Sequence, residues 1–367
     1  MILKTEVHLM SNSVKRFEVF RMFFAIVISL LISFVIIFLV SKEPLTAIYT
    51  LITGPFKSRR NFANVIEAMI PLMFTGIGVC IMFSANQINL AGEGAFHLGG
   101  LVAAVVALQL GLPAGVSPVV AILLSGLVGA IFTAIPAVLK IKTNSSILVS
   151  SLMLNYIALW FATFILMHFI CDPSIGSASY TIPDASTLPT LISKTRIHPG
   201  LILALACAVL GYIFLFKSRI GYELRLTGQN EEFAKYSGIN IVKVVLVSQL
   251  LGGFIAGMGG GVELLSPIYT RFSWTSLLGY GWDAIIICTL SRNNPLYTPL
   301  AALFLAYLRT GASIMARYTD VTLEIVQITQ GIIILLVVAE QFLSGYKHKM
   351  IAKEAMASLK EVVSNKL

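Results

Sequence analysis

Apolar residues in this chain do not alternate with polar ones at the period of a half-buried strand or a surface helix. They run on with little interruption, in stretches near the ~20 residues that a helix needs to cross a hydrocarbon layer. The first run, Met22 to Val40, follows Lys15, Arg16 and Arg21. It is too long for a signal-peptide core and no small-residue cleavage site follows, so it is expected to persist as a first span. Further runs at 62–84, 94–112, 117–139, 146–170, 200–216, 241–262, 278–290, 297–316 and 321–345 bring the candidates to ten. The third opens on Gly92-Glu93-Gly94, and the eighth is short and contains Asp283. The pattern predicts an all-α, polytopic membrane fold of about ten transmembrane helices, one domain over 22–345, with termini at 1–21 and 346–367.

Composition agrees with that pattern. Of 367 residues, 57% are hydrophobic and 12% charged, and the mean hydropathy of +0.88 excludes both a soluble average and a disordered chain. The net charge of +9 does not point to nucleic acid, because the basic residues form no domain of their own and lie mostly between apolar runs. Their distribution orients the chain. With the N-terminus inside, 17 of the 26 Lys and Arg fall on inner segments, as the positive-inside rule requires; Lys57, Arg59 and Arg60 are the poorest fit. Residues 1–21, 217–240 and 346–367 are therefore expected in the cytoplasm. Residues 171–199, rich in Pro, Ser and Thr, are expected outside, as a plain connector or a docking surface for an extracytoplasmic partner. The four cysteines, Cys80, Cys171, Cys207 and Cys288, have neither disulfide-framework nor metal-ligand spacing.

The glycines add an internal echo. The second and seventh candidate spans are each followed by a G-x-G pair, Gly92-Glu93-Gly94 and Gly279-Tyr280-Gly281. Units five crossings apart must have opposite orientations, so the echo predicts an inverted repeat with a solute path between its halves. Gly253, Gly257 and Gly261, four residues apart, line one helix face for close contact with a neighbour; no strand precedes them, so they are not a nucleotide loop. Among in-span ionisable groups, Glu67, Asp283, Arg309 and Glu324 either face the path or form a brace in which Arg309 pairs with Asp283 or Glu324. His97 and His168 read as packing residues.

The segment 217–240 is too polar to cross. Within it Asn230 suits an N-cap, Glu231 and Glu232 the first turn, Lys235 the last, and Gly238 a left-handed stop. This short helix is not stable alone. Either it packs on the chain's own inner surface, or Phe233, Ala234 and Ser237 fit a groove of a cytoplasmic partner.

The order Gly221, Arg225, Gly228, Asn230, Ala234, Gly238, Ile239 resembles the cytoplasmic coupling loop of permease subunits of bacterial ATP-binding-cassette importers for ribose, branched-chain amino acids and nucleosides. Ile70-Pro71-Leu72-Met73-Phe74-Thr75-Gly76 running to Ile88-Asn89-Leu90-Ala91-Gly92-Glu93-Gly94, and Gly279-Tyr280-Gly281-Trp282-Asp283 to Asn293-Asn294-Pro295-Leu296, resemble the branch that serves nucleosides and related solutes, riboflavin included. The likeness covers about residues 60 to 345. It implies that Gly221, Arg225, Gly228, Asn230, Phe233, Ala234 and Gly238 meet a separate ATPase, and that a bulky residue at Gly228 or Ala234 would uncouple the complex without unfolding it. It further implies an extracytoplasmic solute-binding protein and a second permease subunit, homo- or heterodimeric, in the inner membrane. The family usually carries Ala where this chain has Leu226 and a second Ala where it has Phe233, which points to an altered contact face.

No G-x-x-x-x-G-K-[ST] loop occurs, so the chain is not expected to hydrolyse ATP. No catalytic motif, metal-ligand set or cofactor motif is visible either, so neither a catalytic residue nor a cofactor is assigned. The substrate-path residues expected from the two G-x-G motifs and the in-span acids are Glu67, Asn89, Glu93, Tyr280, Trp282 and Asp283. Aromatics and amides with little fixed charge suit a small neutral solute, a nucleoside, a riboflavin-like molecule or a sugar. The competing readings are an ion-coupled secondary transporter using Glu67 or Asp283, and a membrane-embedded enzyme, for which no convergent centre is seen.

Overall fold

The computed structural model describes residues 41–321 and, beyond them, scattered positions between 27 and 39 together with 328 and 331. The termini, most of the first and last candidate spans, and Glu324 lie outside the described residues. Among those described the regular structure is helical, with no strand. Two compact units divide the chain, one of residues 1–53 with 311–367 and one of residues 54–310.

In the first unit, α1 (Pro44–Thr53) packs Ala47 and Leu51 into a cluster with Ile37, Ala312, Met315 and Val321. Its entry is fixed by Asp320, whose carboxylate accepts from Ser41 Oγ and the Lys42 amide, both at 2.6 Å.

The second unit carries the long helices. α2 (Arg59–Phe83) starts on Ser58, whose hydroxyl accepts from the Asn61 amide. α3 is Gly92–Gln109 and α4 is Val116–Thr143, closed by Asn144 in the left-handed conformation with Lys140 and Lys142 in its last turn. α5 (Ile147–Ile165) runs into a π-helical turn, Leu166–Ile170. α6 is Gly200–Lys217, followed by α7 (Arg219–Gln229) and α8 (Glu231–Tyr236), α9 (Ile241–Leu264), α10 (Tyr280–Leu290) and α11 (Thr298–Tyr318), of which residues up to Thr310 belong to this unit and the rest to the first. Among the described residues, seven helices are long and apolar enough to cross a membrane. The helix in the eighth candidate, α10, has 11 residues and reaches only about 16 Å, roughly half of a ~30 Å hydrocarbon core.

α9 is the centre of this unit, packed against α2, α3 and α4. The expected glycine face exists: a β-carbon on Gly257 would meet the Ser125 carbonyl and the Gly129 backbone, and one on Gly253 would strike Thr133. That closeness lets hydroxyls bond backbone across helices. Thr133 Oγ1 donates to Gln249 O at 2.8 Å and Ser125 Oγ to Gly99 O at 2.7 Å. In lipid, where burial of apolar surface between helices gains little, contacts of this kind are worth about 0.6 to 2 kcal/mol each.

The 171–199 segment is stapled to the segment after α9. Ser179 N donates to Phe272 O while Phe272 N donates to Ser179 Oγ, Ile182 N donates to Thr270 O, and Leu188 N to Leu265 O. Arg271 donates to the Asp172 carboxylate at 2.7 Å and to Ser179 O at 2.8 Å. Bonds from Ser174 and Arg271 hold the Asp172 carboxyl down to about 2. His198 is fully buried at the foot of this segment, its Nδ1 accepting from the Gly200 amide at the start of α6. Burial pushes its imidazole down to about 4.

Candidate functional site

The two G-x-G motifs meet. Glu93, in the first turn of α3, accepts from the Gly279 amide at 2.7 Å and from the Gly281 amide through its other oxygen. Gly279 adopts φ +82°, and a β-carbon on Gly281 would lie 2.6 Å from that of Glu93. Glycine is therefore required at both positions, for a left-handed turn at one and for close approach at the other. Gly94 N donates to the Asn155 side chain at 2.9 Å, and the Phe132 ring lies against Gly94. Phe132 is well inside α4, some 16 Å along the helix from its carboxyl end at Thr143. The junction is therefore in the interior of the bundle. α3 and α10 leave it in opposite directions, α10 toward the end of α2, where Cys80 touches Ser291. Two positive helix ends thus converge on one carboxylate, the arrangement that interrupted membrane helices use for polar ligands.

Around this junction stand the other buried polar groups. Asp283 forms an ion pair with Arg309, so the brace is Asp283–Arg309. The Arg309 guanidinium lies 5.8 Å from the Tyr280 ring centroid, and Tyr280 donates to Glu263 at 3.4 Å. Glu263 is an electrostatic neighbour of Glu67, and Glu67 Oε1 has no hydrogen-bond partner. Phe96 packs on Tyr280 at 4.8 Å between centroids and stacks on Trp274 at 5.8 Å. His97 packs beside Phe272 and Trp274, with both ring nitrogens unpartnered. It is a packing residue, as expected, but not a hydrogen-bonded one. His168 is exposed and bonds Phe164 O.

Of the six expected path residues, Glu67, Glu93, Tyr280 and Asp283 belong to this group. Asn89 does not: fully buried, it donates to Thr133 O and Gln249 Oε1 and accepts from the Ala91 amide, tying the α2–α3 connection to α4 and α9. Trp282, 53% exposed, is not among these buried groups. Sequence reasoning missed Glu263, which sits just past the end assigned to the seventh span, and Tyr269 and Trp274, whose positions depend on the fold of the segment after α9. Among the described residues no three His, Cys, Asp or Glu side chains gather as a metal site would require.

The 217–240 segment is two helices where one was expected. Ser218 caps α7, accepting from the Gly221 amide, and Asn230 caps α8, accepting from the Phe233 amide. Glu231, Glu232 and Lys235 take the expected turns, and Gly238 stands at φ +80°. Arg225 donates to Leu215 O at 3.0 Å and covers the Phe216 ring at 4.8 Å, locking the α6–α7 elbow. Gly221 lies against the Phe214 and Leu215 backbone, and Gly228 against the Ser84 carbonyl. The expectation that bulk at Gly228 or Ala234 would leave folding intact is corrected: a β-carbon at the first meets backbone, and the second is 0% exposed within the chain. Phe233, 55% exposed, and Ser237 face outward. Beside them Lys140, Asn144, Glu231, Lys235, Ile239 and Val242 line a cleft of about 390 Å³.

The family model for the permease component of branched-chain amino acid transport systems matches residues 61–338. The chain is 30% identical over 320 residues to a glucose ABC transporter permease protein of Haloferax volcanii, covering 83% of each chain. It is 29% identical to a guanosine ABC transporter permease protein of Bacillus subtilis, over 82% of this chain and 88% of the relative. A probable riboflavin import permease protein of Treponema pallidum is 22% identical over 86% of this chain and 84% of its own. No solved structure matches significantly.

Proposed function

This chain belongs to the family of permease components of branched-chain amino acid transport systems, and on that premise we propose that it imports a small, neutral, ring-bearing solute of the nucleoside class. It is a multi-pass inner-membrane permease subunit of an ATP-binding-cassette transporter, a transport component and not itself an enzyme, whose family works with a cytoplasmic ATPase and a solute-binding protein. The solute class is supported by relatives named for guanosine, nucleosides and riboflavin; the glucose permease relative keeps a sugar as the competing solute. The path is read along Glu67, Glu263, Tyr280 and the Glu93 junction, between halves of an inverted repeat whose two G-x-G turns are Gly92–Gly94 and Gly279–Gly281. A second permease subunit, a copy or a paralogue, completes the assembly.

The observation that carries the energy coupling is the rigid α7–α8 pair. Capped at both starts and wedged on the Ser84 and Phe214–Leu215 backbone, it presents Phe233 outward beside the inner cleft. Such an element transmits force only if something pushes on it, which suits an ATPase docked there and has no role in an ion-coupled carrier. The test is guanosine uptake by vesicles in which ATP is maintained while proton and sodium gradients are collapsed. Persistent uptake is expected; loss of uptake with ATP verified would favour the ion-coupled carrier. Glucose competing as well as guanosine would reassign the solute.

A further inference from the structure

The outer Lys and Arg that fit the orientation rule worst come together with two from another segment. Arg59 and Arg60, at the start of α2, line one cleft with Lys194 and Arg196 from the 171–199 segment. Ser58, Asn64, Ser193 and Thr195 complete the lining of a cleft of about 770 Å³, and no carboxylate is among the lining residues. The amino end of α2 adds its own positive potential at Ser58. Four cations on the translocated side work against the charge bias that orients the chain, and they are exposed to solvent, where like charges gathered around one opening repel.

This cleft also stands at the head of a polar row. Arg60, Asn64 and Glu67 follow at i, i+4 and i+7, so they share one face of α2. Arg196 acts electrostatically on Glu67, which in turn neighbours Glu263 and, through it, Tyr280. Whatever seats in the cleft is positioned over the buried polar group that leads to the Glu93 junction.

We propose that the Arg59–Arg60–Lys194–Arg196 cleft is the docking site for an acidic surface of the extracytoplasmic solute-binding protein, placing its solute over the Arg60–Asn64–Glu67 row. This rests on the permease reading given above. Charge complementarity favours a protein surface, because several carboxylates on one rigid face can meet four separated cations at once, whereas a neutral solute meets none. A phospholipid headgroup is the less suited occupant: α2, at 25 residues and about 37 Å, is longer than the hydrocarbon core, and the cations lie in its first turn and in a segment outside the spans.

The experiment uses the permease assembled with its ATPase in phosphatidylcholine nanodiscs and the purified cognate binding protein as the probe. Wild-type association is expected to slow as salt rises, and the R59E/R60E and K194E/R196E variants to associate about tenfold more slowly. Co-elution with the ATPase checks that the variants are folded, and acid-to-Lys changes on the binding protein should restore the rate. Docking by both variants at the wild-type rate and salt dependence would overturn the proposal and leave the permease reading standing. So would variants that dock normally but, in parallel nanodiscs containing phosphatidylglycerol, lose bound phosphatidylglycerol. Failure of the wild-type complex to dock the binding protein at all would overturn both.

Discussion

Glu93 caps a helix that begins 186 residues further along the chain, its Oε1 accepting from the amide of Gly279 at 2.7 Å. One carboxylate thereby fixes the start of α10, satisfies amides that no side chain on α10 itself reaches, and holds the two G-x-G turns together in the interior of the bundle.

Replacing Glu93 by Ala leaves buried amides without an acceptor, at about 1 to 3 kcal/mol each. The variant should melt at a markedly lower temperature in detergent and lose transport. Gln, which retains one acceptor oxygen, should fall between the two. An alanine variant with wild-type melting and uptake would show that α10 starts without this cap.

Asp283→Asn keeps the size of the side chain and removes the charge that Arg309 faces. Breaking a buried pair costs about 3 to 5 kcal/mol, so loss of melting temperature is expected first. Replacing both partners, Asp283 by Asn and Arg309 by Met, should recover much of the loss. If the double variant is stable but transports poorly, Asp283 serves the path as well as the brace.

Phe233 and Ala234 are neighbours with opposite fates. Phe233→Ala should weaken ATPase association while leaving the melting temperature of the isolated permease unchanged. Ala234→Leu overfills a buried site and should lower stability by about 1 to 3 kcal/mol. The two readouts, pull-down with the ATPase and thermal melting, should therefore move for different variants.

His198 links the 171–199 segment to pH. Burial holds its folded-state value at about 4, below the ~6.5 of an exposed imidazole. Between those values the unfolded segment takes up a proton that the folded one refuses, so stability is full above about 6.5 and falls as pH drops toward 4, by up to about 3 kcal/mol. Protease sensitivity of 171–199 should rise over that window, and His198→Gln should flatten the dependence.

Much of this was legible in the chain. Long apolar runs specify crossing helices because lipid leaves the backbone no other partner. The caps at Asn230 and Gly238 are local chemistry, readable within a few residues. The Gly253–Gly257–Gly261 face is readable too, from helical periodicity alone. What the pattern could not fix was pairing over distance. Asn89 and Glu93 are four residues apart and equally polar, yet one ties α4 to α9 and the other caps α10. Ala234 and Phe233 differ by the rotation of a single helical step, which decides whether a side chain meets the chain's own backbone or a partner. Lys57, Arg59 and Arg60 looked like a flaw in the orientation until Lys194 and Arg196 joined Arg59 and Arg60 around one cleft. Periodicity reports which faces must be buried. Only the tertiary structure decides against what, because close helix contacts and hydrogen bonds between distant segments depend on geometry that no local spacing encodes.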